Sequence, residues 1–107
     1  MSPIKKYMAS LLLIPLHAYA EKIDLVCTNK TNFSVNFEID TSHNTVIFNG
    51  KYARNVFIDN GSISFYIDSQ GKEWFHRINR NTGDMAVQSP DKVWLSPYMC
   101  QKAKQKF

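Results

Sequence analysis

The stretch "FSVNFEID" at residues 33–40 decides the fold class, because apolar and polar side chains alternate through it without a break. The apolar positions are Phe33, Val35, Phe37 and Ile39, and every residue between them is polar. Successive side chains of a β-strand point to opposite faces, so a period of two indicates a strand with one buried face. The stretch therefore predicts a half-buried strand and not a helix.

The same period recurs in "KIDLVCT" at 22–28, where it places the Cys27 thiol on the core face, and in "SISFYID" at 62–68. Turn signals rich in Asn, Gly and Asp separate the runs, because Gly lacks a Cβ and Asn tolerates left-handed backbone conformations. We expect strands at 22–28, 33–40, 44–49, 52–58, 62–68, 73–79, 84–88 and 93–96.

Turns at roughly 8–12-residue intervals, with no helical apolar period, are typical of all-β domains. The sequence predicts an antiparallel meander of about six to eight short strands, curled into a small, partly closed barrel or folded as a sandwich. The last predicted strand, at 93–96, is followed by Pro97, which cannot donate to a sheet ladder and suits an edge or an exit. No linker or repeat divides the chain, so residues 21–107 are predicted to form a single domain.

The first twenty residues have the layout of a signal peptide. Lys5 and Lys6 precede an apolar run at 8–16, and the small-residue pattern Ala-Tyr-Ala ends at Ala20. The run is much shorter than the ~20 residues that a transmembrane helix needs, so we expect no transmembrane anchor in the mature form. The prediction is a cleaved signal peptide at 1–20 and a periplasmic or secreted protein.

Two cysteines stand near the ends of the predicted domain, Cys27 and Cys100. In an oxidising compartment they are expected to pair with each other, which stabilises a domain too small to bury a large core. A metal-binding or catalytic thiol is disfavoured, because the chain has no Cys-x-x-C motif and neither cysteine has a nearby His.

Charge and motif content argue against several functions. The chain has 13 Lys and Arg against 9 Asp and Glu, and Lys5 and Lys6 belong to the predicted signal peptide. The remaining excess is too mild to predict nucleic-acid binding. No metal-ligand spacing or cofactor motif is present, so we expect no cofactor and no metal. His43 and His76 are the two histidines of the domain, and a small hydrolase using both for acid–base catalysis is our third hypothesis.

The segment "EWFHRINRNTGD" at 73–84 carries the most suggestive side chains. Its period of two puts Trp74 on the same face as His76, and Arg77 on the opposite face with an aromatic neighbour. The tip is predicted to be a hairpin turn with Gly83 in a left-handed conformation.

Outward-facing aromatic residues allow two interpretations: cross-strand pairs covering a small second core, or an exposed aromatic and Arg patch of the kind found at interface hot spots. On the second interpretation, the candidate contacts are Tyr66, Trp74, Arg77 and Arg80.

The last fifty or so residues resemble small exported proteins of enteric bacteria and their prophages. The matching residues form a hairpin pattern, Ile78-Asn79-Arg80-x-Thr82-Gly83, followed by a cysteine near the end, Cys100. The resemblance implies a fold and carries no known activity. The predicted architecture is also similar to exported lysozyme inhibitors of bacteria, whose loop motifs are absent here.

These features lead to the hypothesis of an exported, non-enzymatic binding module that docks a protein or a cell-envelope ligand, in the manner of an inhibitor. The alternative is a phage or envelope accessory protein with a structural role. The sequence does not specify an oligomeric state.

Overall fold

A computed structural model describes residues 21–103, and all regular structure in this range is β-strand. The predicted signal peptide and residues 104–107 lie outside the described residues. The nine strands are β1 (Lys22–Thr28), β2 (Ser34–Asp40), β3 (Thr45–Phe48), β4 (Lys51–Tyr52), β5 (Arg54–Ile58), β6 (Ser62–Ser69), β7 (Lys72–Asn79), β8 (Asp84–Gln88) and β9 (Tyr98–Lys102). Among residues 21–103, no helix has the length and apolar character needed to cross a membrane.

The strands form one antiparallel sheet in the order β4-β3-β2-β1-β9-β8-β7-β6-β5. Consecutive strands are neighbours in the sheet, except for β4 and β5 at its two ends, and β9 lies between β8 and β1. The predicted all-β antiparallel meander is therefore confirmed.

The insertion of β9 joins the first part of the meander to the last. It pairs with β1 through four residue pairs, in which Cys100 lies directly opposite Cys27. It pairs with β8 through two, Met99 with Asp84 and Tyr98 with Met85. The predicted disulfide is present and links Cys27 to Cys100 across this ladder, so the seam between β1 and β9 is covalently closed.

The two ends of the sheet order, β4 and β5, are consecutive in the chain and separated only by Ala53. The N–H group of Ala53 donates to the carbonyl oxygen of Val46 at 2.8 Å, and a register shift follows in β5. Asn55 lies in this irregular stretch with a φ of 51°. One bent segment thus pairs with β3 at its start and with β6 at its end, which makes the sheet a nearly closed barrel and not a sandwich.

Turns gather at the two ends of the barrel. We call upper the end that holds 29–33, 49–50, 70–71 and the segment 89–97, and lower the end that holds 41–44, 59–61 and 80–83.

The core fills the barrel with the side chains that the period of two assigns to one face. Phe37 and Phe65 pack at its centre with their ring centroids 5.3 Å apart. Among residues 21–103, no polar or charged side chain is fully buried. Cys27 is fully buried, as its place in β1 predicts. Phe33 lies at an apolar position of the alternating pattern but is 58% exposed. Its N–H group donates to the Asn29 side chain, which holds Phe33 in the turn before β2.

The prediction of a last strand at 93–96 was wrong. Only Trp94 pairs there, in an isolated bridge with Gln88, and the last strand begins after Pro97. The segment turns back on itself through the Ser89 N–H group, which donates to the Val93 carbonyl oxygen at 2.9 Å. After this segment, β9 runs down the barrel between β8 and β1.

We expect reduction of the disulfide to lower the free energy of unfolding by about 4 kcal/mol, since it frees a loop of 73 residues in the unfolded chain. Urea unfolding with and without a thiol reductant measures the loss. A variant carrying Cys27→Ala and Cys100→Ala should not respond to the reductant. Equal midpoints for the oxidised and reduced wild type would contradict the role given to the disulfide.

Gly83→Ala is expected to destabilise the fold more than Gly50→Ala. Both glycines have left-handed backbones, with φ of 87° and 77°, so both variants lose roughly 1–2 kcal/mol to backbone strain. A Cβ at Gly83 would also lie 2.7 Å from the Cys100 carbonyl oxygen, whereas a Cβ at Gly50 meets nothing within 4 Å. We expect Gly83→Ala to lower the free energy of unfolding by roughly 1–3 kcal/mol more than Gly50→Ala, as measured by thermal or urea unfolding. Equal losses would show that β9 can shift to accommodate the added Cβ.

Candidate binding surface

A row of aromatic side chains crosses the outside of the barrel on β5, β6 and β7 and on the segment that follows β8. We call it the outer aromatic surface; it consists of Phe57, Tyr66, Phe75, Arg77 and Trp94. Tyr66 and Phe75 lie opposite each other in the β6–β7 ladder, with ring centroids 5.1 Å apart. Trp94 meets Phe75 edge to face at 6.2 Å. The rings thus form a connected row on the side of the sheet that faces away from the core.

Large apolar area at this surface remains open to solvent. Phe57 is 61% exposed and Trp94 is 52% exposed. Phe57 lies opposite Ser64, which in turn lies opposite Arg77, so the small serine leaves a dip between the two larger side chains. Tyr66 and Phe75 therefore pair across strands, whereas Phe57 and Trp94 stay exposed.

Arg77 is the cation at the middle of the surface. Its guanidinium carbon lies 5.8 Å from the centroid of the Phe75 ring, within the range of a cation–π contact. Its neighbours across the ladders are Ser64 and Ala86, which carry no charge. In the part of the chain that the structure describes, no carboxylate lies within ion-pair distance of Arg77.

Arg54, at the border of the surface, differs because its charge is already paired. Its Nε donates to Asp68 Oδ2 at 2.6 Å, and its Nη2 donates to Asp68 Oδ1 and to Glu73 Oε1, both at 2.8 Å. The hydrogen bond from Arg54 lowers the pKa of Asp68. All three side chains are exposed, so the network adds little stability. Its effect is local: it places the guanidinium 6.0 Å from the Tyr66 ring and steadies one edge of the surface.

The structure brings together two of the four predicted contact residues. Tyr66 and Arg77 share the outer aromatic surface. Trp74 does not, because it points into the barrel and packs against the core. Arg80 lies at the lower end, where its Nη1 donates to the Asp59 carbonyl oxygen at 2.6 Å. Grouping Trp74 with Arg77 was inconsistent with the period of two, which puts odd and even positions of β7 on opposite faces.

Sequence reasoning missed three members of the surface. The period of two could have added Phe75 and Phe57 to the predicted contacts. It puts Phe75 on the same face of β7 as Arg77, and it puts Phe57 on the outer face of β5. Trp94 could not have been predicted as a member. It reaches the surface only through the bridge to Gln88, after a turn that the sequence does not specify.

His76 lies inside the barrel. Its ring stacks on Phe65 with centroids 5.1 Å apart and an interplanar angle of 9°. Its Nδ1 donates to the Trp74 carbonyl oxygen at 3.1 Å. Burial disfavours the charged ring and lowers the pKa of His76 to about 4. The imidazole is therefore neutral at physiological pH, with its free lone pair on Nε2.

His43 lies in the turn after β2, in a cluster with Asp40 and Ser42. Ser42 Oγ donates to Asp40 Oδ1 at 2.6 Å, and His43 Nδ1 lies 3.0 Å from Asp40 Oδ2 and 3.1 Å from Ser42 Oγ. The hydrogen bond from Ser42 is the main cause that lowers the pKa of Asp40 to about 2. In a catalytic triad the serine and the carboxylate bond opposite nitrogens of the ring, whereas here both bond Nδ1. The cluster is a turn motif, and it is not joined to His76 in the barrel interior.

In residues 21–103, no three His, Cys, Asp or Glu side chains are grouped so that they could hold a metal ion. The sequence matches no protein-family model, and no curated protein or solved structure matches it either.

Protonation of His76 should make stability depend on pH. Its pKa is 6.5 unfolded and about 4 folded, so between these values the unfolded chain binds the proton and the folded chain does not. Stability should fall as pH decreases from 6.5 toward 4, by at most about 3 kcal/mol. Urea unfolding at about pH 7 and about pH 5 measures this loss, because Asp40, Asp59 and Asp68 add their own proton uptake below about pH 5. His76→Phe should remove most of the dependence, and an unchanged slope in that variant would contradict the assignment.

Proposed function

We propose that this chain is an exported, non-enzymatic binding protein that docks a protein or a cell-envelope ligand on the outer aromatic surface. The observation that carries the proposal is the connected row of Tyr66, Phe75 and Trp94 on the solvent side of the sheet, where these rings take no part in the core. Exposed apolar patches of this kind mark interaction sites more often than they serve the fold. Tyr, Trp and Arg are also the residues that dominate binding energy at interfaces.

The charges of the surface favour an acidic partner. Arg54 is occupied by Asp68 and Glu73, so of the two arginines at this surface Arg77 is the one available to a ligand. A guanidinium binds a carboxylate through two parallel hydrogen bonds, and a ring beneath it keeps the plane oriented. The partner that fits is a surface presenting one carboxylate flanked by apolar side chains, which would cover Phe57 on one side and Trp94 on the other.

The place of action follows from the disulfide together with the sequence pattern. A persistent disulfide such as Cys27–Cys100 is typical of proteins outside the reducing cytoplasm. The layout of residues 1–20 supports export through a signal peptide, which makes the partner a periplasmic, secreted or envelope component. A hydrolase using both histidines gains no support, because His43 lies in an outer turn and His76 in the interior.

The test is capture of a partner from an envelope extract by the oxidised chain 21–107, followed by affinity measurement with variants. Tyr66→Ala and Arg77→Ala should each weaken binding by roughly thirtyfold, the effect of a hot-spot residue that contributes about 2 kcal/mol.

The matched control pair is Phe57→Ala and Phe33→Ala. The two side chains are similarly exposed, at 61% and 58%, but Phe33 lies between β1 and β2 on the far side of the barrel. Phe57→Ala should weaken binding and Phe33→Ala should not. Equal affinity for all four folded variants would refute the outer aromatic surface as the docking site.

A further inference from the structure

A cavity of about 210 Å³ opens at the upper end of the barrel, on the opposite face of the sheet from the outer aromatic surface. Its walls are mainly apolar, with Phe37 and Phe48 on one side and Trp74 and Val87 on the other. Leu95, from the segment 89–97, stands at its rim, where its N–H group donates to the Val87 carbonyl oxygen at 2.9 Å. We call it the mouth cavity.

The His76 ring is held in one orientation at the wall of the mouth cavity, with Nε2 as a hydrogen-bond acceptor. The Nδ1 of His76 donates to the Trp74 carbonyl oxygen, so in the neutral ring Nε2 is a hydrogen-bond acceptor. The ring cannot turn freely, because it stacks on Phe65 and meets Phe37 edge to face with centroids 5.9 Å apart.

Within residues 21–103, His76 Nε2 has no hydrogen-bond partner. In the same range, every fully buried side-chain nitrogen or oxygen atom has a partner, so Nε2 is not fully buried. Nε2 is therefore reachable from the cavity that His76 lines. An acceptor in this position can bind an O–H or N–H group that enters the barrel.

Volume and charge define the ligand class. An apolar cavity of about 150 Å³ holds benzene, and pockets for drug-sized ligands begin at about 300 Å³. The mouth cavity falls between them and fits one ring with one or two small substituents. None of its lining side chains carries a fixed charge, so a charged ligand would lose its hydration without gaining an ion pair.

We infer that the mouth cavity binds a small, uncharged, monocyclic aromatic molecule whose hydroxyl group donates a hydrogen bond to His76 Nε2. The rings of Phe37, Phe48 and Trp74 supply its apolar contacts. Ser69 and Tyr98 also line the cavity. This site is independent of partner docking, since it uses the inner face of the sheet.

The experiment titrates the oxidised protein with p-cresol, toluene and 4-hydroxybenzoate near neutral pH, with NMR shifts as the readout. We expect saturable binding of p-cresol at one site, with shifts at residues lining the mouth cavity. Toluene has nearly the same shape without the donor and should bind roughly three- to tenfold more weakly, the factor supplied by one net hydrogen bond. The charged 4-hydroxybenzoate should not bind there.

Two variants locate the site. His76→Phe keeps a ring on Phe65 and removes the acceptor, so p-cresol affinity should fall to that of toluene while toluene affinity is retained. Phe75→Ala, on the outer surface, should leave all three titrations unchanged.

Failure of p-cresol to saturate in the millimolar range, or equal binding of p-cresol and toluene to the wild type, would overturn the inference. If His76→Phe fails to fold, the comparison of the three probes on the wild type still tests whether the mouth cavity binds an uncharged hydroxyl-bearing ring. Loss of partner docking in the surface variants with retained p-cresol binding would separate the two sites.

Discussion

The fold depends on the pairing of β9 with β1, because this ladder turns a meander into a barrel. Without it, β1 and β8 would each present an unpaired edge, and the apolar face of the sheet would have nothing to enclose it. The disulfide lies within the ladder, between residues that already face each other across the strands. Gly83 supports the same join, since its carbonyl oxygen accepts the Cys100 N–H group at 2.8 Å and its missing side chain leaves room for the Cys100 carbonyl.

The alternation along β7 then divides the molecule into two independent surfaces. Trp74 and His76 face inward and complete the walls of the mouth cavity, whereas Phe75 and Arg77 face outward and form part of the outer aromatic surface. A strand of eight residues therefore contributes to both candidate sites without sharing a side chain between them. A change at one face can alter its binding while the other face keeps its geometry, which is what makes the two proposals separable.

The sequence predicted the elements whose cause is local. Phe37 and Ile39 in β2 and Phe65 in β6 are buried because the period of two assigns them to one face, and Gly83 takes the left-handed conformation that its turn motif indicates. The elements with a non-local cause could not be predicted. The position of β9 depends on the need to reach β1, and the place of Trp94 depends on a turn over β8. The split of the predicted strand 52–58 at Ala53 likewise reflects closure of the barrel, which no local pattern encodes.

The late position of Cys100 in the chain has a consequence for the order of folding. Hairpins such as β1–β2 and β6–β7 can form as soon as their residues are made, because their partners are close in sequence. The other edge of β1 must wait for β9, which lies far downstream in the chain. The two cysteines of this ladder are 73 residues apart in sequence. A chain synthesised or transferred across a membrane from its N-terminus therefore stays open until nearly all of it has emerged. During that interval Cys27 has no intramolecular partner to mispair with, and closure of the barrel and oxidation of the thiols both come last.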